Sequence, residues 1–254
     1  MQTTVERVYQ KLRQAIVECE LSPGTSFSES DLVRRYKASR TPVREACQRL
    51  EHEGLVRIVP FRGYSIAPLS VAEFLEMQEL QLILEPAAAA LAAERITPEQ
   101  VAELEECALY EYRVGDAESY REFVRKNHQL HTAIASASRN RQLFETVNNI
   151  HVRLMRFFFL GLPFESWGET LVEEHRKLLG AIRNRQPEEA RRYAAEHIQN
   201  AIQRSSNETM NAIRFGELIF DPNSSNVATK MNAEETRKSL RMTKRTRKSS
   251  RPKE

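Results

Sequence analysis

The segment from Ser28 to Ile66, SESDLVRRYKASRTPVREACQRLEHEGLVRIVPFRGYSI, limits what this chain can fold into more than any other feature. Ser28, with Asp31 three residues on, is an N-terminal cap pattern for a short helix that ends near Tyr36. A second helix begins at Ser39 to Thr41, with Pro42 in its first turn, where a missing N–H removes no helical hydrogen bond. Gly54 ends it. Val56 and Ile58, then Tyr64 and Ile66, alternate around Pro60-Phe61-Arg62-Gly63 and predict a two-stranded hairpin. Upstream, Val5, Val8, Leu12, Ala15 and Ile16 recur at helical spacing, and Leu21 to Gly24 make a turn.

The residue types in this unit suit a nucleic-acid groove. Arg40 and Arg44 lie four apart, on one face of a helix start, where arginine can donate two hydrogen bonds to a guanine edge. Ser39 and Thr41 can bind phosphate or bases, and Arg62 at the hairpin tip can reach a neighbouring groove or backbone. A small bundle with solvated arginines is the competing reading. The ordered series of capped helix, arginine-rich helix start, glycine stop and basic hairpin argues against it. Charge agrees: residues 1–69 carry a net +3, residues 70–229 a net −7, and residues 230–254 a net +7. A basic head on an acidic body is expected of a DNA reader joined to a different module.

Residues 70–215 show no strand pattern and divide into six predicted helices, over 70–95, 98–113, 116–137, 140–160, 166–184 and 187–215. Thr97-Pro98, Gly115-Asp116, Gly161 to Pro163 and Gln186-Pro187 separate them, and Pro86 is expected to kink the first. The fold class is therefore mainly α, a winged helix-turn-helix followed by an all-α bundle. The expected domains are 1–69, 70–221, and a basic, disordered tail over 222–254 that adds phosphate attraction if it takes part in binding. Cys19, Cys47 and Cys107 suggest neither a disulfide framework nor a cysteine zinc site. No apolar run approaches a membrane span, so a soluble, cytoplasmic protein is expected.

Within the body, Asn127 and His131 share a helix face, and His175 and His197 each lie eleven residues from the turn at Gln186. An antiparallel helix pair sets those two histidines level. Three imidazoles and one oxygen converging inside a bundle suit a divalent transition metal, zinc foremost. Singly, each histidine reads as a hydrogen-bonded core residue, and His52, His128 and His151 keep that reading.

Residues 1–68 resemble the winged helix-turn-helix of the GntR family of bacterial transcription regulators. The resemblance rests on Pro23-Gly24, Glu29, Leu32, the run Ser39 to Glu45, Leu50, Glu53-Gly54-Leu55 and Arg62-Gly63. Lys37-Ala38 and Cys47 depart from the family's usual Gly-Val and leucine. Residues 70–215 resemble the helical FCD effector domain of the FadR subfamily, in its six-helix, VanR-like form, through Leu84-Glu85, NHQLHTAIASASRN, EEHRKLLGAIRNRQPEEA and AAEHI. The resemblance implies a homodimer on a near-palindromic operator, DNA contacts from Ser39, Arg40, Thr41, Arg44, Arg62 and Gly63, and a metal set at Asn127, His131, His175 and His197.

Two departures touch the sensing end. Asn127 stands where the family has aspartate, which predicts weaker metal affinity. Gln81 stands where an arginine usually pairs with a carboxylate effector. Gln81 is expected to point inward, as an effector contact or as a buried amide bonded to backbone; Arg153 and Arg156 are candidate substitutes for the clamp, but a solvated or interhelical role is the favoured reading of each. The leading expectation is a repressor of a metabolic operon that senses a small organic acid with the help of the metal. A metal-dependent DNA-binding protein without sensing and a metalloenzyme are the alternatives. Against an enzyme, no general acid or base accompanies the histidines in sequence.

Overall fold

A computed structural model describes residues 2–113, 116–159 and 168–214. The turn expected at Gly161 to Pro163 and the basic tail lie outside the described residues. Among the described residues the chain forms α1 (Thr4–Val17), β1 (Ser26–Phe27), α2 (Glu29–Tyr36), α3 (Arg40–His52), β2 (Val56–Val59), β3 (Gly63–Ile66) and then six helices: α4 (Val71–Arg95), α5 (Pro98–Ala108), α6 (Ala117–Ala137), α7 (Arg141–Phe159), α8 (Gly168–Arg183) and α9 (Pro187–Arg214).

The head follows from local chemistry. Thr3 caps α1 by accepting from the Glu6 amide, and Val8, Leu12, Ala15 and Ile16 form its buried stripe. Ser28 and Asp31 form a reciprocal capping box at the start of α2. α2 ends on Lys37 in the left-handed region, φ 47°. Glycine adopts that conformation without cost, whereas a residue with a side chain loses about 1–2 kcal/mol there. Arg7 donates to the Tyr36 carbonyl at 3.1 Å, satisfying one of the free carbonyls at that end. Glu53 is the C-cap of α3 and Gly54 follows it at φ +71°.

The wing is larger by one strand than the sequence predicts. β1 pairs antiparallel with β3, in the order β1-β3-β2, with Ser26 opposite Ser65 and Phe27 opposite Tyr64. Two residues are too few to show alternation, so only the pairing reveals this strand. Gly63, at φ +105°, closes the contact: a Cβ there would lie 2.4 Å from the Phe27 carbonyl oxygen.

In the body, α4 continues through Pro86 to Arg95 as one element. Ala89, Ala92 and Ala93 on α4 meet Leu178 and Ile182 on α8 and Ala190 and Ala194 on α9, so small side chains let the helices approach closely. α5 is shorter than predicted and stops at Ala108. Tyr112 leaves the helix direction and packs edge-on against Tyr120, ring centroids 5.4 Å apart. Phe74 and Phe157 pin α4 to α7 with ring centroids 4.7 Å apart.

Head and body share a packed seam. Val124, Val152 and Met155 of the body join the apolar core built from α1, α2, α3 and the wing. Arg156 is 2% exposed and donates to the Ala67 carbonyl, just after β3. Arg153 pairs with Glu73, and its guanidinium lies against Gly54, 3.5 Å from where a Cβ would stand. Asn149 donates to the Glu53 carbonyl at 3.4 Å. α7, together with α6 through Val124 and the Arg125–Glu18 ion pair, is thus what the head rests on.

Candidate functional site

The predicted DNA-reading residues lie together on the outer face of the head. Ser39, Arg40, Thr41 and Arg44 are exposed along the first turns of α3, and Arg62 is exposed on the wing. Ser39 makes no side-chain capping bond, so its hydroxyl is not spent on the helix. Glu29 organises the arginines, a role the sequence reading did not give it. Arg44 donates to both Glu29 oxygens, at 2.5 and 3.3 Å, and Arg40 approaches the same carboxylate at 3.5 Å. A two-bond grip aims a planar guanidinium and restricts its rotamers before DNA arrives. Gln48 continues this exposed face one turn beyond Arg44.

His131, His175 and His197 converge inside the bundle, all buried, with ring centroids 5.2 Å (131–197), 4.7 Å (175–197) and 5.8 Å (131–175) apart. One ligand atom from each lies within 4.8 Å of the others. Each ring has a nitrogen held by a neighbour. His131 Nδ1 donates to Glu85 Oε2 at 2.5 Å, and His197 Nδ1 donates to Glu174 Oε2 at 2.8 Å. His175 bonds to the Ala108 backbone. Its Nε2 is buried without a partner, so that bond uses Nδ1. Outer nitrogens occupied and inner nitrogens facing one space is how metal-binding imidazoles are oriented.

Burial is the main cause that pushes His175 well below the ordinary imidazole range, followed by the neighbouring His197 and His131. Burial lowers His197 too, with Glu174 acting in opposition. Neutral imidazoles are the metal-ready form. Glu174 goes the other way: burial opposes its charge, but Arg204, with two 2.9 Å bonds, and His197 hold it at about 2.

A small cavity of about 50 Å³ adjoins this centre, lined among others by Asn127, His131, His197, Gln81, His151 and Phe123. Space of that size admits a few waters. Gln81 is buried, as expected, but its partner is a side chain and not the backbone. Its Nε2 donates to Glu85 Oε1 at 2.8 Å. His151 Nε2 donates to the same oxygen at 2.8 Å, so the 3.1 Å approach of those two nitrogens is a contact and not a hydrogen bond. Burial opposes the charge of Glu85, yet His131 and His151 outweigh it and hold the carboxyl well below its usual range. His151, read from sequence as a plain core histidine, therefore belongs to the site through Glu85. Arg153 and Arg156 do not line the cavity; both are committed to the seam.

The model for "Bacterial regulatory proteins, gntR family" matches residues 4–66, and the FCD domain model matches residues 76–200. The Escherichia coli (strain K12) HTH-type transcriptional repressor RspR is 30% identical over 76% of this chain and 85% of its own length. The chain belongs to the GntR family. In this GntR regulator the body is an FCD domain, and such domains bind small-molecule effectors, while GntR heads bind DNA. The Nta operon transcriptional regulator of Aminobacter aminovorans is 28% identical over 72% of this chain and 85% of its own length. The fold matches the E. coli McbR/YncC structure, with a TM-score of 0.68 at 23% identity over 82% of this chain and all of that one. It also matches a GntR regulator structure from Rhodococcus sp. RHA1, with a TM-score of 0.64 at 22% identity over 80% of this chain and 97% of that one. The matched families and relatives are transcriptional regulators, not enzymes. Among the described residues no helix is long and apolar enough to cross a membrane.

The buried imidazoles set a pH response for this GntR regulator without metal. Burial holds His128 at about 3, with His151 adding to the effect, and His175 and His197 are lowered too. A histidine whose folded value lies below its unfolded one, about 6.5, leaves the unfolded chain holding more protons in acid. Stability therefore falls as pH drops below about 6.5, and Glu85 and Glu174 add a second loss below about 4.5. The Tm of chelator-treated protein should decline from neutral pH toward about pH 5. A flat Tm over that window would contradict the neutral, buried state of these rings.

Proposed function

We propose that this protein is a repressor of a metabolic operon. It binds a near-palindromic operator as a homodimer, and its operator affinity responds to a small organic acid sensed beside a divalent metal, most simply zinc, in the cytoplasm. The unpartnered Nε2 of His175, buried among His131 and His197, carries this reading. Leaving a buried polar atom unpaired costs about 1–3 kcal/mol, and a cation accepting all three inner nitrogens removes that cost.

The donor set suits a transition metal: three buried imidazoles, with Asn127 lining the adjoining cavity beside His131 and His197. When bound, the metal supplies a Lewis-acidic centre for an effector oxygen. Glu85 and Glu174 fix the orientation of His131 and His197, and Arg204 in turn fixes Glu174. Gln81 offers an amide to the cavity where a charged clamp is absent. Helix α7 presents His151 to Glu85 and, one and two residues on, Val152 and Arg153 to the head, which gives sensing a route to the DNA-reading face. That RspR is a repressor and the Aminobacter relative the regulator of an operon supports the assigned output.

The test measures affinity of the full-length protein for a duplex it selects from a random library, with chelator, with zinc, and with zinc plus short mono- and dicarboxylic acids. We expect an acid to shift affinity by about 5–150-fold, the range of an ordinary allosteric coupling. Unchanged affinity in all conditions would sink sensing. A response to zinc but to no acid would favour a metal that only braces the bundle, a reading to which the small cavity lends weight. Turnover of an acid would favour a metalloenzyme.

A further inference from the structure

The wing ends in a side chain that touches nothing. Phe61 is 109% exposed, at the tip of the hairpin between β2 and β3, flanked by the exposed residues Pro60 and Arg62. Its backbone is left-handed, φ 62°, and the turn is closed by the Arg62 amide donating to the Val59 carbonyl at 3.0 Å. Ile58, 39% exposed on β2, extends the apolar surface toward the tip. The hairpin base is fixed by the β1–β3 pairing and by the close approach of Gly63 to Phe27. A rigid arm therefore holds an unsupported phenyl ring outward, beside a cation.

The position of the arm names the partner. Glu29, which grips Arg44 on α3, also bonds Tyr64 on β3, so the wing stands directly beside the base-reading helix start. With α3 set in a major groove, an arm standing beside its start is placed to meet the neighbouring minor groove. Apolar wedges of this kind, set among cations, enter minor grooves and partly unstack a base step, bending the duplex toward the major groove.

We propose that Phe61 is such a wedge: it inserts into the operator minor groove flanking the α3 contact and opens one base step, while Arg62 holds the adjoining backbone. Pyrimidine–purine steps open most easily. Phe61 thus selects for a TA or CA/TG step at a position where it makes no hydrogen bond, a specificity element distinct from Arg40 and Arg44. This rests only on DNA binding by the head, so failure of metal or effector sensing leaves it standing.

The experiment uses full-length protein and its library-selected duplex, with 2-aminopurine placed at successive positions and the duplex ends labelled for energy transfer. The wild type should raise 2-aminopurine emission at one step per half-site and shorten the end-to-end distance. Phe61→Ala should abolish both and weaken affinity about tenfold, the scale of one lost base-level contact. Its salt slope should stay unchanged, because no phosphate contact is removed. Phe61→Leu, which keeps an apolar wedge, should retain the emission signal. The side chain buries nothing, so these variants keep the fold. Equal emission and bending for wild type and Phe61→Ala would overturn the proposal. So would a wild-type duplex stacked throughout, or a Phe61→Ala defect confined to self-association of the protein.

Discussion

Replacing His175 with alanine should strip the protein of metal. His175 is the most buried histidine of the proposed set, 2% exposed. Its Nδ1 is spent on the Ala108 backbone, so only Nε2 faces the centre. Second-sphere changes alone cost about 10–100-fold in metal affinity, so loss of a direct ligand should cost at least about 100-fold. Metal content by mass spectrometry should fall to background, and the zinc-dependent rise in Tm should vanish. Asn127→Asp should act in the opposite direction, tightening zinc by restoring a negative ligand. His151→Ala is the informative control. Glu85, His131 and His151 form a second cluster of potential ligands. If His151→Ala loses metal while His175→Ala keeps it, the ligand set lies around Glu85 and the assignment made above is wrong.

Arg44→Ala should remove most of the base discrimination supplied by the head. A bidentate arginine–guanine contact is worth about 1–3 kcal/mol, or about 5–150-fold between operator and random duplex. Arg44 has the geometry for this, because the Glu29 carboxylate holds it through two bonds while its side chain stays 62% exposed. Arg40 is held at a longer 3.5 Å, so Arg40→Ala should cost more in overall affinity and salt slope than in discrimination. Binding isotherms on the selected duplex and on a scrambled one check both. Equal operator-to-random ratios for wild type and Arg44→Ala would refute a base-reading role.

Much of the head was legible because its signals are local. The Ser28–Asp31 cap, Pro42, Gly54 and the alternation of β2 and β3 each act within a few residues, and all recur in the structure. β1 was not legible, since two residues owe their strand state to a partner almost forty residues away. In the body, the spacing of His175 and His197 about Gln186 marked two rings that do stand together. The inward Gln81 was legible from helix phase, whereas its bond to Glu85 was not. His151 gave no signal, having no spaced partner on α7; it joins the site only because α7 crosses α4 at Glu85. Glu174 and Arg204 were visible only in hindsight, as the neighbour of one ligand and the residue seven beyond another. Arg153 was offered to the effector on charge alone, and charge alone does not say which side of a helix faces the head.

The seam bears on how such regulators can be recombined. Val152 and Met155 complete the head's core, and the guanidinium of Arg156 relies on the Ala67 carbonyl. A head exchanged at the junction after Leu69 would lose those partners, exposing apolar surface on α7 and burying a cation against an unfamiliar backbone. The inheritable unit is therefore not the head by itself. New pairings of reader and sensor must carry the contact faces of α6 and α7 along with the head, so the two modules can diverge in what they read and sense only while this shared surface changes in step.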